Sequence, residues 1–242
     1  MTGLIRRSCE QIERFAEEVL SQIDRDVLYN PQPMPVGKVM QFMTETHGVG
    51  IGWDIDLVDP GKYEVASKRI CIAANVWETS RWRFVLAHEI GHALLHKDVR
   101  FEGDEYYEQA NEQKEYDVFS GKRKIKTERD ILGWQANRFA SAITIPRLRF
   151  RDKLIEIQRM LGIPRAGQIY RDSNRYSLAD YHRTMAYLCF TYGVSRMSIL
   201  CRLRTLNLIN PETRWGRGLL GWLDAEAIIN LEQKRISKWA KA

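Results

Sequence analysis

Residues 84–96 read FVLAHEIGHALLH and contain the pattern HExxH within an otherwise apolar stretch. His88 and His92 are four positions apart, so on an α-helix their side chains lie one above the other on the same face. Glu89 follows His88 directly and points about 100° further round the helix. This spacing predicts that the two imidazoles bind a tetrahedral Zn²⁺ ion, with a carboxylate close to the metal but off the ligand axis.

The composition of this helix favours a buried metal site over a pair of exposed histidines. Apolar residues surround the motif at Val85, Leu86, Ile90, Ala93, Leu94 and Leu95. Buried polar groups need partners, and one metal ion satisfies both imidazoles at once. Zinc lowers the pKa of water to roughly 7, and a neighbouring carboxylate can then take up the proton and return it to the leaving amine. We therefore predict Zn²⁺ as the cofactor, His88 and His92 as ligands, and Glu89 as the catalytic general base.

The third ligand is left open by the motif, because catalytic zinc normally takes three protein ligands. A metzincin-like arrangement would use Asp98, but Leu95 stands where that arrangement needs a glycine. A gluzincin-like arrangement would take a carboxylate from a second helix, and the helix that starts at Asp130 is the candidate. His96 lies one turn beyond His92, too far along a straight helix to share the ion, and is expected to pack or to form hydrogen bonds.

Hydrophobic periodicity outlines the remaining elements and the fold class. The predicted helices besides the HExxH helix are 9–24, 37–47, 130–145, 150–161 and most of 178–242, and the predicted strands are 49–57 and 63–74. The charged segment 101–129 lacks a clean apolar face and is predicted to be an insertion or lid. We predict an α+β fold, in which a small mixed or antiparallel sheet packs on the HExxH helix and the C-terminal part is mainly helical.

A second pattern follows the HExxH stretch, and the two patterns together give the sequence a specific family resemblance. FVLAHEIGHALLH and the later WQANRFASAITIP, residues 134–146, resemble the ImmA/IrrE metallopeptidase family, whose patterns are AHE-x-GH-x-LLH and E-x-x-AN-x-FA-x-x-LLMP. YGVS at 192–195 and RLRTLNLI at 202–209 resemble the family's FGVS and RL-x-x-LGL segments. The resemblance implies a metallopeptidase domain over residues 1–210, followed by a basic, aromatic, helical extension at 211–242.

One departure from the family pattern concerns the third zinc ligand. The ligand Glu of the family would fall three residues before Ala136, where this sequence has Gly133. Asp130 lies one turn earlier on the same helical face and is the nearest carboxylate that could substitute. Three outcomes stay open: Asp130 completes the site, two histidines and waters bind metal weakly, or the fold is kept and hydrolysis is lost. We predict the ligand set His88, His92 and Asp130.

The family resemblance also implies a biological role. Proteins that resemble this family are cytoplasmic regulators. They cleave a helix-turn-helix repressor of the Xre type and so switch on a stress or mobile-element response. A site-specific zinc endopeptidase with a protein substrate is therefore the leading hypothesis. The alternative is a catalytically silent member that binds a partner, as a toxin, antitoxin or sensor, and the glycine at position 133 favours it.

DNA binding is the third hypothesis, because residues 192–204 also resemble the second half of a helix-turn-helix. Arg196, Arg202 and Arg204 would then contact phosphates. The same segment carries apolar residues at helical spacing, and we expect these to be core: Val194, Met197, Leu200 and Leu203. DNA binding is accordingly not the expected function.

Composition places the chain among ordinary globular proteins. Lys and Arg total 37 against 31 Asp and Glu, and dedicated nucleic-acid binders are usually more lopsided than this net charge of +6. The four cysteines form no CxxC pair, which indicates neither a zinc ribbon nor a disulfide framework and suits a reducing compartment. No signal-peptide pattern and no apolar run of about 20 residues is present. We expect a cytoplasmic protein without a membrane segment.

Overall fold

The protein was analysed as a computed structural model that describes most of the chain. The described residues are 3–77, 79–99, 127–164, 166–170 and 175–210. They form two compact units, the first ending at Pro146 and the second comprising Pro31–Pro33 and the residues from Arg147 onward. The predicted insertion lies outside the described residues except for its last three positions, and the predicted extension at 211–242 lies outside them entirely.

The first unit contains the HExxH helix, three short strands and the helices around them. Its elements are α1 (Cys9–Asp24), a 3-10 turn (Arg25–Leu28), α2 (Val36–His47), β1 (Gly50–Asp54), β2 (Gly61–Glu64), β3 (Arg69–Ala73), α3 (Ala74–Trp77), α4 (Trp82–Leu95) and α5 (Glu128–Thr144). Helix α1 begins at a capping box, in which Ser8 accepts from the Gln11 backbone and Gln11 returns the bond. The predicted helices 9–24 and 37–47 are confirmed to within one residue.

The sheet is mixed and has the order β1-β3-β2. Strand β1 runs parallel to the central strand β3, and β2 runs antiparallel to it. Ile70 and Ile72 of β3 are fully buried in the core of this unit. The predicted fold class, α+β with a small mixed sheet, is confirmed.

The predicted strand 63–74 is wrong as a single strand, because the chain turns back within it. Residues 63–64 belong to β2 and the rest of the pairing is made by β3, with a turn at residues 65–68. Lys68 adopts φ 50°, a left-handed conformation that is uncommon outside glycine. The turn carries no Gly, Pro, Asn or Asp, so the usual sequence signals for a hairpin are missing.

Helices α4 and α5 approach closely at one glycine. A Cβ added to Gly91 would lie 3.2 Å from the Ala136 Cα, 3.3 Å from the Ala136 carbonyl oxygen and 3.2 Å from the Phe139 Cδ1. Contacts that close involve backbone atoms and are tighter than ordinary van der Waals distances. A glycine is therefore required in α4 where it crosses α5 at this distance.

Three tryptophans with closely packed, tilted rings connect the start of α4 to strand β1. The ring centroids of Trp53 and Trp77 are 4.3 Å apart, and those of Trp77 and Trp82 are 4.2 Å apart. Aromatic pairs of this kind each contribute about 0.5–1.5 kcal/mol beyond the area that they bury. Helix α4 has no side-chain N-cap hydrogen bond at Arg81, so packing of these rings takes the place of a cap in positioning its first turn.

The second unit is mainly helical, as predicted. Its elements are α6 (Phe150–Met160), β4 (Ile169–Tyr170), α7 (Arg175–Tyr192), α8 (Arg196–Thr205) and β5 (Ile209–Asn210), with β4 and β5 parallel. Val194, Leu200 and Leu203 are buried, which confirms three of the four predicted core positions. The fourth prediction is wrong, because Met197 is 43% exposed.

Two of the three arginines considered for phosphate contacts, Arg196 and Arg202, are engaged within the second unit. Arg202 is fully buried, so its guanidinium cannot reach a DNA backbone without unfolding the helix. Arg196 donates to the His182 Nδ1 at 2.7 Å and lies over the Tyr181 ring.

Within the described residues, no helix is both long enough and apolar enough to cross a bilayer.

The close crossing of α4 and α5 predicts an unusual effect of a helical glycine-to-alanine change. Alanine normally stabilises a helix by about 1 kcal/mol relative to glycine. In Gly91→Ala we expect a loss of about 1–3 kcal/mol in the free energy of unfolding, because the added methyl overpacks the Ala136 backbone. Urea denaturation measures the change.

The matched control is Gly37→Ala in α2, where an added Cβ meets nothing within 4 Å. This variant should be as stable as the wild type or more stable, by up to about 1 kcal/mol. A Gly91→Ala protein that also gains stability would contradict the close crossing.

Candidate metal centre

Helix α4 brings together the three residues of the predicted motif. His88, Glu89 and His92 are 6%, 1% and 8% exposed, so all three side chains are buried as the apolar flanks indicated. Ionisable and polar groups are rarely buried this completely unless they are paired. Each of these three side chains therefore needs partners within the fold.

The two imidazoles of the motif face each other. The Nε2 atoms of His88 and His92 are 3.0 Å apart, and the ring centroids are 4.7 Å apart. Two nitrogens bound to one tetrahedral zinc ion at about 2.0–2.1 Å are separated by roughly 3.3 Å. A small outward movement of either ring would therefore match the separation that shared zinc coordination needs.

A hydrogen bond from α5 sets the tautomer of His88. Its Nδ1 lies 3.0 Å from the Asn137 Oδ1, which can only accept. Nδ1 therefore carries the proton, and Nε2 presents a lone pair towards His92. Asn137 belongs to the AN-x-FA pattern of α5, and this contact gives its side chain a hydrogen-bonding role.

A longer chain of hydrogen bonds sets the tautomer of His92. The Gln135 Nε2 donates to the Ile5 carbonyl at 3.0 Å, which leaves the Gln135 Oε1 to accept from the His96 Nε2 at 3.3 Å. The Nδ1 of His96 then accepts from the Nδ1 of His92 at 3.0 Å. His92 thus also presents its Nε2 lone pair to the shared point, and the prediction that His96 forms hydrogen bonds is confirmed.

Burial keeps these histidines neutral. Desolvation, followed by the charges of His88 and His96, holds the pKa of His92 well below its ordinary value. Desolvation also lowers the pKa of His96, to about 4, although its hydrogen bond to Gln135 opposes the shift. The neutral imidazole is the form that binds metal, so the site is in its binding form at neutral pH.

Glu89 lies against the edge of the sheet. A Cβ built on Gly61 in β2 would lie 3.2 Å from the Glu89 Oε1 and 2.7 Å from the Val85 Cγ1. Only a glycine lets β2 pass this close to α4 without displacing either side chain. Within the described residues β2 is an edge strand of its sheet, so the general-base candidate sits beside a strand edge.

The third predicted ligand occupies a different local setting. Asp130 forms a capping box with Thr127, whose backbone N–H and hydroxyl both donate to the Asp130 Oδ2, at 2.7 Å and 2.9 Å. Gly133 lies buried on α5 and Asp98 is exposed after α4. Across the residues the structure describes, no group of three or more His, Cys, Asp or Glu side chains is placed to hold a metal ion. The assignment of Asp130 as a ligand stays a prediction.

Two residues of the site were not found from the sequence. Gln135 is the polar residue on a face of α5 whose neighbours one turn away, Ile131 and Phe139, are apolar, and that pattern could have predicted a buried hydrogen-bonding role. Gly61 stands at the end of the sequence DPG, residues 59–61, which is typical of a turn. Its close approach to Glu89 carries no signal in a single sequence.

The lowered pKa values predict how stability depends on pH in the metal-free protein. A histidine whose pKa is lower folded than unfolded stabilises the fold fully above about pH 6.5, and the stabilisation is lost as the pH falls towards its folded pKa. For His96, with a folded pKa of about 4, the loss between pH 7 and pH 5 is on the order of 2 kcal/mol. Urea unfolding in the presence of a chelator measures it. His96→Leu should show a shallower dependence, and an equal slope in both proteins would contradict the assignment.

Comparisons with known proteins bear on the fold and the family of the chain. No curated protein sequence matches the chain. Three chains of solved structures match it, among them a Mycobacterium tuberculosis transcriptional regulator with 14% sequence identity and a TM-score of 0.52. That alignment covers 85% of this chain and 49% of the other, so this chain spans about half the length of that regulator and the likeness concerns the fold alone.

A family model supplies the classification. The model described as Peptidase_M78, IrrE N-terminal-like domain, matches residues 43–204. The match takes in α4 with its HExxH motif, the partner helix α5 and most of the second unit. Because it covers well over half of the sequence, the chain belongs to the Peptidase_M78 family of IrrE N-terminal-like domains, as the resemblance to ImmA/IrrE proteins indicated.

Proposed function

We propose that this chain is a zinc-dependent endopeptidase, in which His88 and His92 bind the ion and Glu89 is the general base. One observation carries the proposal: hydrogen bonds from opposite sides turn two Nε2 lone pairs towards each other at 3.0 Å. Two lone pairs at that distance repel each other, and a cation between them converts the repulsion into two bonds. The imidazole pair therefore fits two ligand positions of a zinc site.

The cation is better explained as a metal ion than as a shared proton. A proton between His88 and His92 would make one of them an imidazolium in a buried setting. The pKa of His92 is held well below its ordinary value by desolvation, so this proton is not retained at neutral pH. Zinc prefers neutral imidazole nitrogen, which is the form that His92 takes here.

The proposed chemistry is the addition of water to a peptide carbonyl. Zinc at this site supplies Lewis-acid chemistry, lowering the pKa of water and polarising a carbonyl oxygen. Glu89 takes the proton from the attacking water and delivers it to the nitrogen of the leaving amine, after which the C–N bond is broken. Glu89 is buried and follows His88 at about 100° round the helix, which suits a base rather than a third ligand.

The edge of β2 is the proposed seat for the substrate. An extended peptide that pairs with β2 would continue the sheet through backbone hydrogen bonds. Because Gly61 of β2 contacts Glu89, such a peptide would run past the general base. This mode requires an unfolded or loop segment of the target, which agrees with cleavage at one exposed site rather than digestion of whole proteins.

We propose a helix-turn-helix repressor of the Xre type as the protein substrate. The resemblance to ImmA/IrrE proteins supports this choice of substrate. Its cleavage would switch on a stress or mobile-element response.

Asp130 is our candidate for the third ligand, and its present contacts define what binding would require. The carboxylate would have to leave the capping box, where it accepts from the Thr127 backbone N–H and hydroxyl, at a cost of about 1 kcal/mol for the lost hydrogen bonds. That cost is small beside the free energy of zinc binding, which is on the order of 10 kcal/mol in structural sites. The free energy of zinc binding is therefore large enough to move the Asp130 carboxylate from the capping box to the metal.

The second candidate function is a silent member that binds its partner without cleaving it. Gly133, at the position where the family pattern places a ligand Glu, favours this reading. So does the finding that the described residues provide two imidazoles but no third ligand beside them. In this case the β2 edge would bind the same kind of segment and release it intact.

A Glu89→Gln substitution separates the two candidates. It keeps the shape of the side chain and removes the base, so we expect zinc binding near the wild-type level and cleavage slower by at least about 100-fold. The measurement is gel-based cleavage of an Xre-type repressor encoded next to the gene, together with zinc content per chain. A repressor left intact by the zinc-loaded wild type at equimolar concentration would overturn the endopeptidase proposal. Zinc well below one per chain, with repressor binding unchanged in Glu89→Gln, would establish the silent reading.

The role of Asp130 is tested against the residue that shares its cap. Asp130→Ala and Thr127→Ala both destroy the capping box and should each lower stability by about 1 kcal/mol. If Asp130 is a ligand, only Asp130→Ala weakens zinc binding, by about tenfold or more. Competition with a chelating dye measures the affinity. Equal zinc affinities in the two variants would remove Asp130 from the ligand set.

A further inference from the structure

Gln135 is held in a single orientation by the N-terminal segment. Its side chain is fully buried, and its Nε2 donates to the Ile5 carbonyl oxygen at 3.0 Å. A carbonyl oxygen only accepts, so the amide nitrogen must face Ile5 and Oε1 must face His96. The same segment also contacts the end of α4, through Arg7, which donates to the Leu95 carbonyl at 3.0 Å.

This orientation decides the order of protons along the histidine chain. With an acceptor at 3.3 Å, His96 carries its proton on Nε2 and offers a lone pair at Nδ1. His92 therefore donates from Nδ1 and offers a lone pair at Nε2, towards His88. The position of a proton on His92 is thus set by an amide that does not touch it.

The opposite proton order is the competing state. His96 would donate from Nδ1 to His92, and His92 would donate from Nε2 to the Nε2 of His88. That order satisfies the three rings without any cation, and it places a proton where a metal ligand needs a lone pair. It is disfavoured here because the Nε2 lone pair of His96 would then face the Oε1 lone pairs of Gln135.

We propose that Gln135 is a positioning residue for the metal centre, which acts through His96 by keeping the Nε2 of His92 unprotonated. The inference rests on the proposed zinc binding by His88 and His92. A ligand histidine usually donates from its other ring nitrogen to a carboxylate or a backbone carbonyl, which fixes its tautomer. Loss of such a group typically weakens metal binding 10- to 100-fold. Here a neutral imidazole and an amide take that position.

A buried glutamine elsewhere in the chain provides a matched control. Gln158 on α6 is 2% exposed, donates to the Gln168 carbonyl at 2.8 Å and accepts from the Gly167 N–H at 2.6 Å. Gln158→Leu and Gln135→Leu each delete one buried amide that donates to a carbonyl and accepts one hydrogen bond. A general loss of stability is therefore common to both variants, whereas a change of histidine tautomer is expected only in Gln135→Leu.

The experiment combines zinc affinity with histidine tautomers in the full chain. Nitrogen-15 NMR of the metal-free wild type should show His92 protonated at Nδ1 and His96 protonated at Nε2. In Gln135→Leu we expect the reverse, with His96 protonated at Nδ1 and His92 at Nε2, and a 10- to 100-fold weaker zinc affinity by chelator competition. Gln158→Leu should keep the wild-type tautomers and affinity. Gln135→Met, with an unbranched side chain of similar length, replaces the leucine variant if that one does not fold.

The outcomes separate this inference from the proposed function. A wild type that binds zinc, with Gln135→Leu unchanged in affinity and tautomers, would overturn the inference and leave the proposed function standing. Wild-type His92 found protonated at Nε2 in the metal-free chain would also overturn it. A wild type that binds no zinc would overturn both.

Discussion

The crossing of α4 and α5 at Gly91 is the constraint on which the rest of the site depends. Without a side chain at that position, the backbone of α5 at Ala136 comes within contact distance of α4. The residues on either side of Ala136 are then within hydrogen-bonding distance of α4, with Asn137 at His88 and Gln135 at His96. A wider spacing would leave buried imidazole nitrogens without these partners, which would be costly in a core of this kind.

Burial and hydrogen bonding act together on the chemistry of the motif. Desolvation lowers the pKa of His92 and His96 and keeps both rings neutral, while hydrogen bonds decide which nitrogen of each ring carries the proton. Neither effect alone produces a ligand: a neutral ring with its proton on Nε2 cannot bind zinc through that atom. The N-terminal segment takes part in this selection through the carbonyl of Ile5. Residues nearly the full length of the first unit apart in sequence therefore converge on one nitrogen atom of His92.

The sheet positions α4 through its two edge strands. Gly61 lets β2 lie against Glu89, and the packed rings of Trp53, Trp77 and Trp82 connect the first turn of α4 to β1 at the opposite edge of the described sheet. The helix is therefore fixed at its start by aromatic packing and along its length by α5. Such a rigid helix suits a site whose atoms must stay within a few tenths of an ångström.

The sequence by itself determined the α+β class and the HExxH helix with its burial, because these follow from periodicity, motif spacing and helix geometry. The sequence did not predict the hairpin between β2 and β3, because the turn that ends at Lys68 lacks the usual turn residues. Only the tertiary structure decided the tautomers of the histidines and the roles of Gln135 and Gly61. These depend on distances between segments far apart in the chain, and local sequence patterns carry no information about which distant carbonyl or strand a side chain will meet.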